Sequence, residues 1–481
     1  MRRTCVIGAG PSGLAASKVL ASRNVPFDCF EAGSHLGGLW RYGNDNGMSG
    51  VYASLHANIS KESMSFSSLA MPESYPVFPH HSKVLAYLED YATSFGLHRH
   101  IAFGTEVTSV RPLDDGGWEV VHRRRGNAGA QAVSRRYTDV VVANGHHWDP
   151  RLPDPAVPGA EDFEGSAVHS HDYRTPEPYA GRRVLVIGMG NSACEIAAEV
   201  SRTAARTYLS ARDPAHVFPK MLLGRPADHL VRSPLAGLPR FLKGPAMALL
   251  LRLTRGAPAH YGLPEPVRGP LAAHPSTSDE LLVQLARGAV TPKPGVSLFG
   301  RDTATFTDGS RESVDAVVYA TGYNISFPFI SPSVFAAHSG RTELYLRTVH
   351  PRLAGLYFMG LAQPSGAAFP LLEPQAEWIA DLIEGPVALP SPAEMTRAIA
   401  RERRRHARAY VSTYRHGIEI DVRAYQRALR RELRVGRRRA RGALPTPPAG
   451  PPPPRNPADT QTAAPHSSEP LSGAGSELGS T

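Results

Sequence analysis

Two stretches decide the fold: Arg3–Ala15, RTCVIGAGPSGLA, and Arg183–Ile196, RVLVIGMGNSACEI. Each runs from an apolar strand through a glycine turn into a helix. Each is followed by a second short strand, FDCFE at Phe27–Glu31 and TYLSAR at Thr207–Arg212. This is the β-α-β pattern of a dinucleotide-binding unit, and it occurs twice. In the first copy Gly8 permits the tight turn, Gly10 lets the backbone approach a pyrophosphate, and Gly13 allows close helix–strand packing. With Pro11 and Ser12 these are the candidate phosphate-binding positions, because a helix N-terminus favours negative charge. Glu31, 18 residues after Gly13 at the end of the second strand, is placed for ribose hydroxyls.

The second copy has Gly188, Gly190 and Ala193, with Asn191 and Ser192 opening its helix. Its second strand ends in Ser210 and Arg212, with no acid at the ribose position and Asp213 just beyond. An arginine there accommodates a 2′-phosphate, which favours NADP over NAD. Two different nucleotides in one chain imply electron transfer between them, a nicotinamide giving hydride to a flavin. The fold expected is α/β, with two Rossmann-like domains and the NADP domain inserted into the FAD domain. The expected divisions are 1–160 (FAD domain, first part), 161–323 (NADP domain, with an insertion at 224–276), 324–436 (return to the FAD domain and C-terminal helices) and a disordered tail at 443–481.

Other segments fill in this plan. Ser82–Leu97 has helical period, with Val84, Leu85, Leu88 and Tyr91 on one face. Glu106–Val110, Trp118–His122, Asp139–Ala143 and Asp315–Tyr323 read as strands, with a hairpin turn near Gly126. Within the insertion, Phe241–Leu253 reads as a buried or lid helix, or as one lying on a membrane surface. The uncharged window Leu353–Leu372 contains three Gly and two Pro, so it reads as strand, turn and helix start and not as a membrane span.

The net charge of +10 raises nucleic acid or an anionic membrane as partners. Its location argues otherwise. Residues 401–442 carry 15 Arg against 4 acids, and the Pro-rich tail is net −2, so the first 400 residues stand at +1. No nucleic acid partner and no integral membrane segment are expected, and a homodimer is left open. The three cysteines, Cys5, Cys29 and Cys194, form no C-x-x-C, which disfavours a redox dithiol and fits a reducing, cytoplasmic setting. No metal site is expected: His80-His81, His146-His147 and His169-x-His171 have no acidic or cysteine partners at ligand spacing.

FEGSAVHSHDY, Phe163–Tyr173, fits F-x-G-x-x-x-H-x-x-x-Y through Phe163, Gly165, His169 and Tyr173. With its place between two dinucleotide motifs, it resembles the signature of flavin-containing monooxygenases. GGLWR (Gly37–Arg41), NISKESMSFSS (Asn58–Ser68), ATGY (Ala320–Tyr323) and His350–Ala380 are similar to further segments of that family, and the likeness extends to about Gly436.

The resemblance implies FAD and NADPH as cofactors. It implies a C4a-hydroperoxyflavin that passes one oxygen atom of O₂ to an amine nitrogen or sulfide of a small molecule, as in N,N-dimethylaniline monooxygenase activity. It places Gly38, Leu39, Trp40, Thr321, Gly322 and Gln375 at the cofactors, makes Asn58 the catalytic candidate, and gives His169 and Tyr173 a domain-linking role. From the residues alone, Asn58 also reads as a turn-capping asparagine, and N-I-S also fits a glycosylation sequon, one that a cytosolic chain leaves unmodified. Baeyer–Villiger relatives typically end the motif in Trp. Here Tyr173 is followed by Arg174, which favours heteroatom oxidation over the Baeyer–Villiger or 2-oxo-acid alternatives. A reading of another class is a flavoprotein that mainly binds or assembles through its basic C-terminal segment.

Overall fold

The structure is a computed structural model. It describes residues 2–442 apart from 127–128, 130, 213–214, 233–239, 267–268, 271–275, 338–341, 365 and 410–416, so the Pro-rich tail lies outside the described residues.

Ten strands in two parallel sheets position the site: β1 (Thr4–Ile7), β2 (Phe27–Phe30), β3 (Ile101–Ala102), β4 (Asp139–Val142), β5 (Ser166–His169), β6 (Arg183–Ile187), β7 (Arg206–Ser210), β8 (Val290–Lys293), β9 (Ala316–Tyr319) and β10 (Leu356–Phe358). The first sheet has the order β10-β4-β1-β2-β3 and the second β8-β7-β6-β9-β5. The second sheet is therefore threaded into the chain between β4 and β10 of the first. Every residue of β1 and β4 is buried, as an apolar strand covered on both faces requires. β1 lies between β2 and β4, and β6 between β7 and β9, so each glycine turn leaves its sheet where the strand order reverses. That crevice is where open α/β sheets bind ligands.

Nine α-helices are described: α1 (Pro11–Ser22), α2 (Lys61–Met64), α3 (His81–Ser94), α4 (Asn191–Val200), α5 (Arg240–Arg255), α6 (Glu280–Ala286), α7 (Phe369–Glu384), α8 (Pro392–Ala409) and α9 (Val422–Gly442). α1, α3 and α7 share one core against the first sheet. α3 buries Val84, Tyr87, Leu88 and Tyr91, with Leu85 only half-buried. The window Leu353–Leu372 resolves into β10, a two-residue strand at Gln363–Pro364 and the start of α7. No described helix is long and apolar enough to cross a membrane.

One reading of the insertion segment is corrected: α5 is not a buried helix, since it covers Leu251 but leaves Leu242, Leu249 and Leu253 exposed. The three exposed leucines, seven and four residues apart, share one helical face, opposite Leu251. The basic C-terminal segment packs against the body. α9 buries Tyr425, Leu429, Glu432 and Gly436, spaced four, three and four residues apart on one helical face.

Candidate functional site

At the first turn, Gly8 has a φ of +101°, and a Cβ there would stand 2.8 Å from the Ala143 carbonyl oxygen. A Cβ on Gly13 would overlap the Gly8 carbonyl at 1.8 Å, so only glycine lets α1 sit on the turn. Gly10 caps α1 without a side-chain hydrogen bond, and Pro11 opens the helix. The amides of Ser12 and Gly13 therefore face the turn without a capping side chain. Gly38, in the Gly38–Trp40 turn, comes within contact of Gly10. Glu31 is buried beneath this turn. Its carboxylate accepts the Ala9 N–H (2.7 Å), the Gly33 N–H (2.7 Å) and the Asn46 amide (3.1 Å). Burial raises its pKa against the opposing pull of these hydrogen bonds.

The second turn repeats the design. Gly188 has a φ of +133°, with the Ala320 carbonyl oxygen 2.4 Å from where its Cβ would be. Gly190 caps α4, again with no side-chain hydrogen bond. Asn191 Oδ1 accepts the Thr277 N–H at 2.7 Å. The Ser210 hydroxyl donates to the Pro294 carbonyl at 2.6 Å and so fixes the end of β7. Asp213 lies outside the described residues.

The Phe163–Tyr173 motif forms the edge of the second sheet. Its Ser166–His169 portion is β5, paired with β9. A Cβ at Gly165 would lie 2.4 Å from the Phe163 ring and 2.6 Å from the Asp315 carbonyl oxygen. His169 Nδ1 accepts the His171 N–H at 3.0 Å, which puts the ring proton on Nε2. Burial, with the neighbouring His171, pushes the His169 pKa down to about 4. The ring stands edge-on to Tyr323, 5.3 Å away. Tyr173 donates to Glu199 of α4 at 2.7 Å and stacks on Tyr179. These groups join the motif to α4 and to the Ala320–Tyr323 segment.

Beside the second glycine turn lies a cavity of about 940 Å³. Leu39, Trp40 and Asn58 line it, as do Gly188, Gly190, Asn191, Ser192, Ser210 and Arg212, and Thr321 and Gly322. Gly8, Gly10, Pro11, Ser12, Gly13 and Glu31 are not among its walls. Asn58 Oδ1 is buried without a hydrogen-bond partner. Gln375 does not line this cavity, and its amide is enclosed in the fold. It donates to the Tyr425 hydroxyl (2.6 Å) and Thr348 Oγ1 (3.3 Å) and accepts the Gly360 N–H (3.3 Å).

Residues 1–436 match the family model described as FMO-like, flavin-binding monooxygenase-like. The chain belongs to this family. It is 38% identical over 434 residues to flavin-containing monooxygenase 5 of Oryctolagus cuniculus, covering 87% of this chain and 80% of that one. To flavin-containing monooxygenase 3 of Homo sapiens it is 34% identical over 411 residues, 82% and 76% of the two chains. Among solved structures, S-allyl-L-cysteine S-oxygenase from Allium sativum superposes with a TM-score of 0.67 at 25% identity, covering 92% of each chain. The open crystal structure of cyclohexanone monooxygenase shares the fold, with a TM-score of 0.66 at 20% identity over 91% and 99% of the chains.

This flavin-binding monooxygenase is an enzyme that uses FAD and NADPH. Its residues suit both groups. Two helix N-termini, α1 and α4, lack side-chain caps where a pyrophosphate needs free amides, and Asn58 on the cavity wall keeps a buried Oδ1 with no hydrogen-bond partner among the described residues. Sequence reasoning missed one hub nearby. Glu373 of α7, buried, accepts hydrogen bonds from both Ser67 and Ser68 hydroxyls, from the Ser68 N–H (3.1 Å) and from Tyr91 (2.8 Å), and pairs with Lys18 at 3.5 Å. The paired serines ending NISKESMSFSS were the available signal, but their partner lies some 305 residues on.

Proposed function

We propose that this monooxygenase uses NADPH and O₂ to place one oxygen atom on a soft nucleophile, an amine nitrogen or a sulfide, of a small molecule. One observation carries the reading. A single cavity brings Trp40 and Asn58 together with the second glycine turn and Arg212, while Asp154 is the one carboxylate among its described walls. Such a site has no carboxylate pair for acid–base work, and a nucleophilic substrate needs none. The Tyr173–Arg174 ending of the motif supports the heteroatom reading, as do the relatives named as flavin-containing monooxygenases and the structural neighbour titled as an S-oxygenase.

When bound, the flavin, reduced by the nicotinamide, activates dioxygen and supplies the transferred oxygen atom. The chain's residues do the rest. Gly8–Gly13 and the α1 amides hold the FAD pyrophosphate, and Glu31 orders that turn from beneath. Gly188–Ser192 and the α4 amides hold the NADP pyrophosphate, and Arg212 holds the 2′-phosphate. Leu55, Val157, Ile325 and Ile418 on the cavity wall exclude water. Burial pushes the His146 imidazole well below its ordinary pKa, so it adds no acidic proton at neutral pH. Asn58 directs its amide into the cavity as a hydrogen-bonding group. His169 and Tyr173 order the motif, in which His171 bonds the Gly47 carbonyl (3.0 Å) and after which Arg174 bonds the Ser49 carbonyl (3.1 Å), both in the first part of the chain.

The test is a panel of matched sulfide, tertiary amine and ketone substrates with NADPH, scored by product and corrected for peroxide release. S-oxide and N-oxide products are expected. Ester formation from the ketone with the sulfide untouched would overturn the reading.

A further inference from the structure

Among the described residues, the insertion's hydrogen bonds to the segment that carries Asn58 meet at one residue. Ser60, fully buried and two residues from Asn58, occupies the N-cap position of α2, where a serine hydroxyl ordinarily accepts an amide of its own helix. Here it makes no such cap. The hydroxyl instead donates to Asp228 Oδ2 at 2.7 Å, and the Ser60 N–H donates to Asp228 Oδ1 at 3.2 Å. The same hydroxyl stands 3.2 Å from His229 Nε2, from which it accepts when that nitrogen carries the proton. Asp228 and His229 belong to the short 3₁₀ turn Ala227–Arg232 of the insertion. Among the described residues, the hydrogen bonds from 217–276 to the first sheet's part of the chain all converge on Ser60.

The other holds beside Asn58 reach residues 72–79: Lys61 Nζ donates to the Tyr75 carbonyl at 2.6 Å, and two bonds are backbone ones. Ala57 N–H donates to Pro79 and Lys61 N–H to Val77, 2.9 and 2.8 Å. They bracket Asn58 and Ser60, whose own amide is satisfied only by Asp228. A bidentate carboxylate on consecutive polar groups fixes direction as well as distance. Asn58 lies on the cavity wall with its Oδ1 buried and, among the described residues, without a partner, so the placement of its side chain depends on the backbone that carries it. The insertion also supplies Pro266, Gly269 and Pro270 to the cavity wall.

We infer that Asp228 is a positioning residue for the monooxygenase reaction: through Ser60 it fixes the backbone that carries Asn58 on the cavity wall. The inference rests on the function proposed above. A carboxylate from the Ala227–Arg232 turn thus sets the geometry of Asn58, so that oxygen transfer stays coupled to NADPH use.

The test compares Asp228→Ala, Asp228→Asn and Ser60→Ala with the wild type, all flavin-loaded. Hydrogen–deuterium exchange is the readout independent of turnover. Amides of 58–64 in Asp228→Ala should exchange about ten-fold faster, the scale of losing a hydrogen bond to a charged group, with α1 unchanged. In turnover, the fraction of NADPH that ends as peroxide should rise several-fold and kcat for the oxygenated product fall, while the KM for NADPH holds. Asp228→Asn keeps an acceptor oxygen and should recover part of both. If Asp228→Ala does not fold, Ser60→Ala, which removes the hydroxyl contacts alone, carries the comparison. Wild-type exchange in 58–64, or faster exchange with wild-type coupling, would overturn the inference. A wild type that oxygenates neither sulfide nor amine would instead overturn the reading on which it rests.

Discussion

Replacing Glu373 with Gln tests whether the flavin-side segment is held from α7. The carboxylate gathers three hydroxyls and one amide, from Ser67, Ser68 and Tyr91, beside the Lys18 ammonium. Glutamine keeps the shape but removes the charge. It turns an N–H₂ toward hydroxyls that were donating and leaves Lys18, itself mostly buried, without its partner. Hydrogen bonds to a charged group contribute about 1.5–3 kcal/mol each, and breaking one side of a buried pair costs about 3–5 kcal/mol. The serine and tyrosine hydroxyls can rotate to new acceptors, so the net loss should be about 2–4 kcal/mol. At roughly 2 °C for each kcal/mol in a chain of this size, Tm should fall by about 5 °C.

The effect should depend on pH in one direction. Burial alone would raise the Glu373 pKa, but the Ser67, Ser68 and Tyr91 hydrogen bonds and the Lys18 charge outweigh it and hold the pKa below 4.5. A lowered folded-state pKa contributes stability above the ordinary glutamate value and loses it as pH falls through the folded one. The gap in Tm between wild type and Glu373→Gln should therefore be constant from pH 8 to 5.5 and narrow below about 4.5. Thermal unfolding followed by flavin release across that range is the assay. A Tm within 1 °C of wild type at pH 7, or a gap that widens in acid, would refute the reasoning.

Two further outcomes bear on the nucleotide sites. Arg212→Ala should raise the KM for NADPH about 10- to 100-fold and leave that for NADH nearly unchanged, since only the former carries the 2′-phosphate; equal changes for both would remove Arg212 from that role. Gly188→Ala forces a side chain onto a φ of +133° and within 2.4 Å of the Ala320 oxygen, so Tm and NADP⁺ affinity should fall together in calorimetric and fluorescence titrations. Wild-type values of both would show that the turn relaxes.

What was legible from sequence is what local geometry dictates. A glycine turn needs its glycines wherever the rest of the chain goes, and a strand buried on both faces reads as an apolar run. Both turns and the strands flanking them in the sheets, β2, β4, β7 and β9, could be read for that reason. What was not legible depends on chain far away. Nothing near Ser210 announces that Pro294 takes its hydroxyl, and nothing near Gln375 announces that Tyr425 closes over it. The Phe163–Tyr173 signature reads as a linker, yet its middle is a strand because β9, some 150 residues later, offers an edge. On α5 pattern alone does not say which of two opposite apolar sides the body covers: Leu251 is buried, while Leu242, Leu249 and Leu253 on the other side are exposed.

The arginine-rich end of the chain, set apart on charge alone, belongs to the nucleotide-binding body. Gly436 lets α9 approach closely: a Cβ there would lie 2.5 Å from Val387 and 3.1 Å from the Ala388 oxygen. Arg439 bonds Glu432 and the Ala388 carbonyl, Arg437 bonds Asp381, and Tyr345 donates to Glu432 at 2.6 Å. Part of the positive charge is thus spent inside the fold. From α9 a chain of contacts leads inward. Tyr425 donates to the Leu346 carbonyl and accepts from Gln375, and Gln375 accepts from Gly360. At Gly360, φ +74°, a Cβ would stand 2.4 Å from Ser12 Oγ, on the first glycine turn itself. A basic helix some 400 residues from that turn therefore takes part in setting its shape. The family match ends at residue 436, the glycine that seats α9.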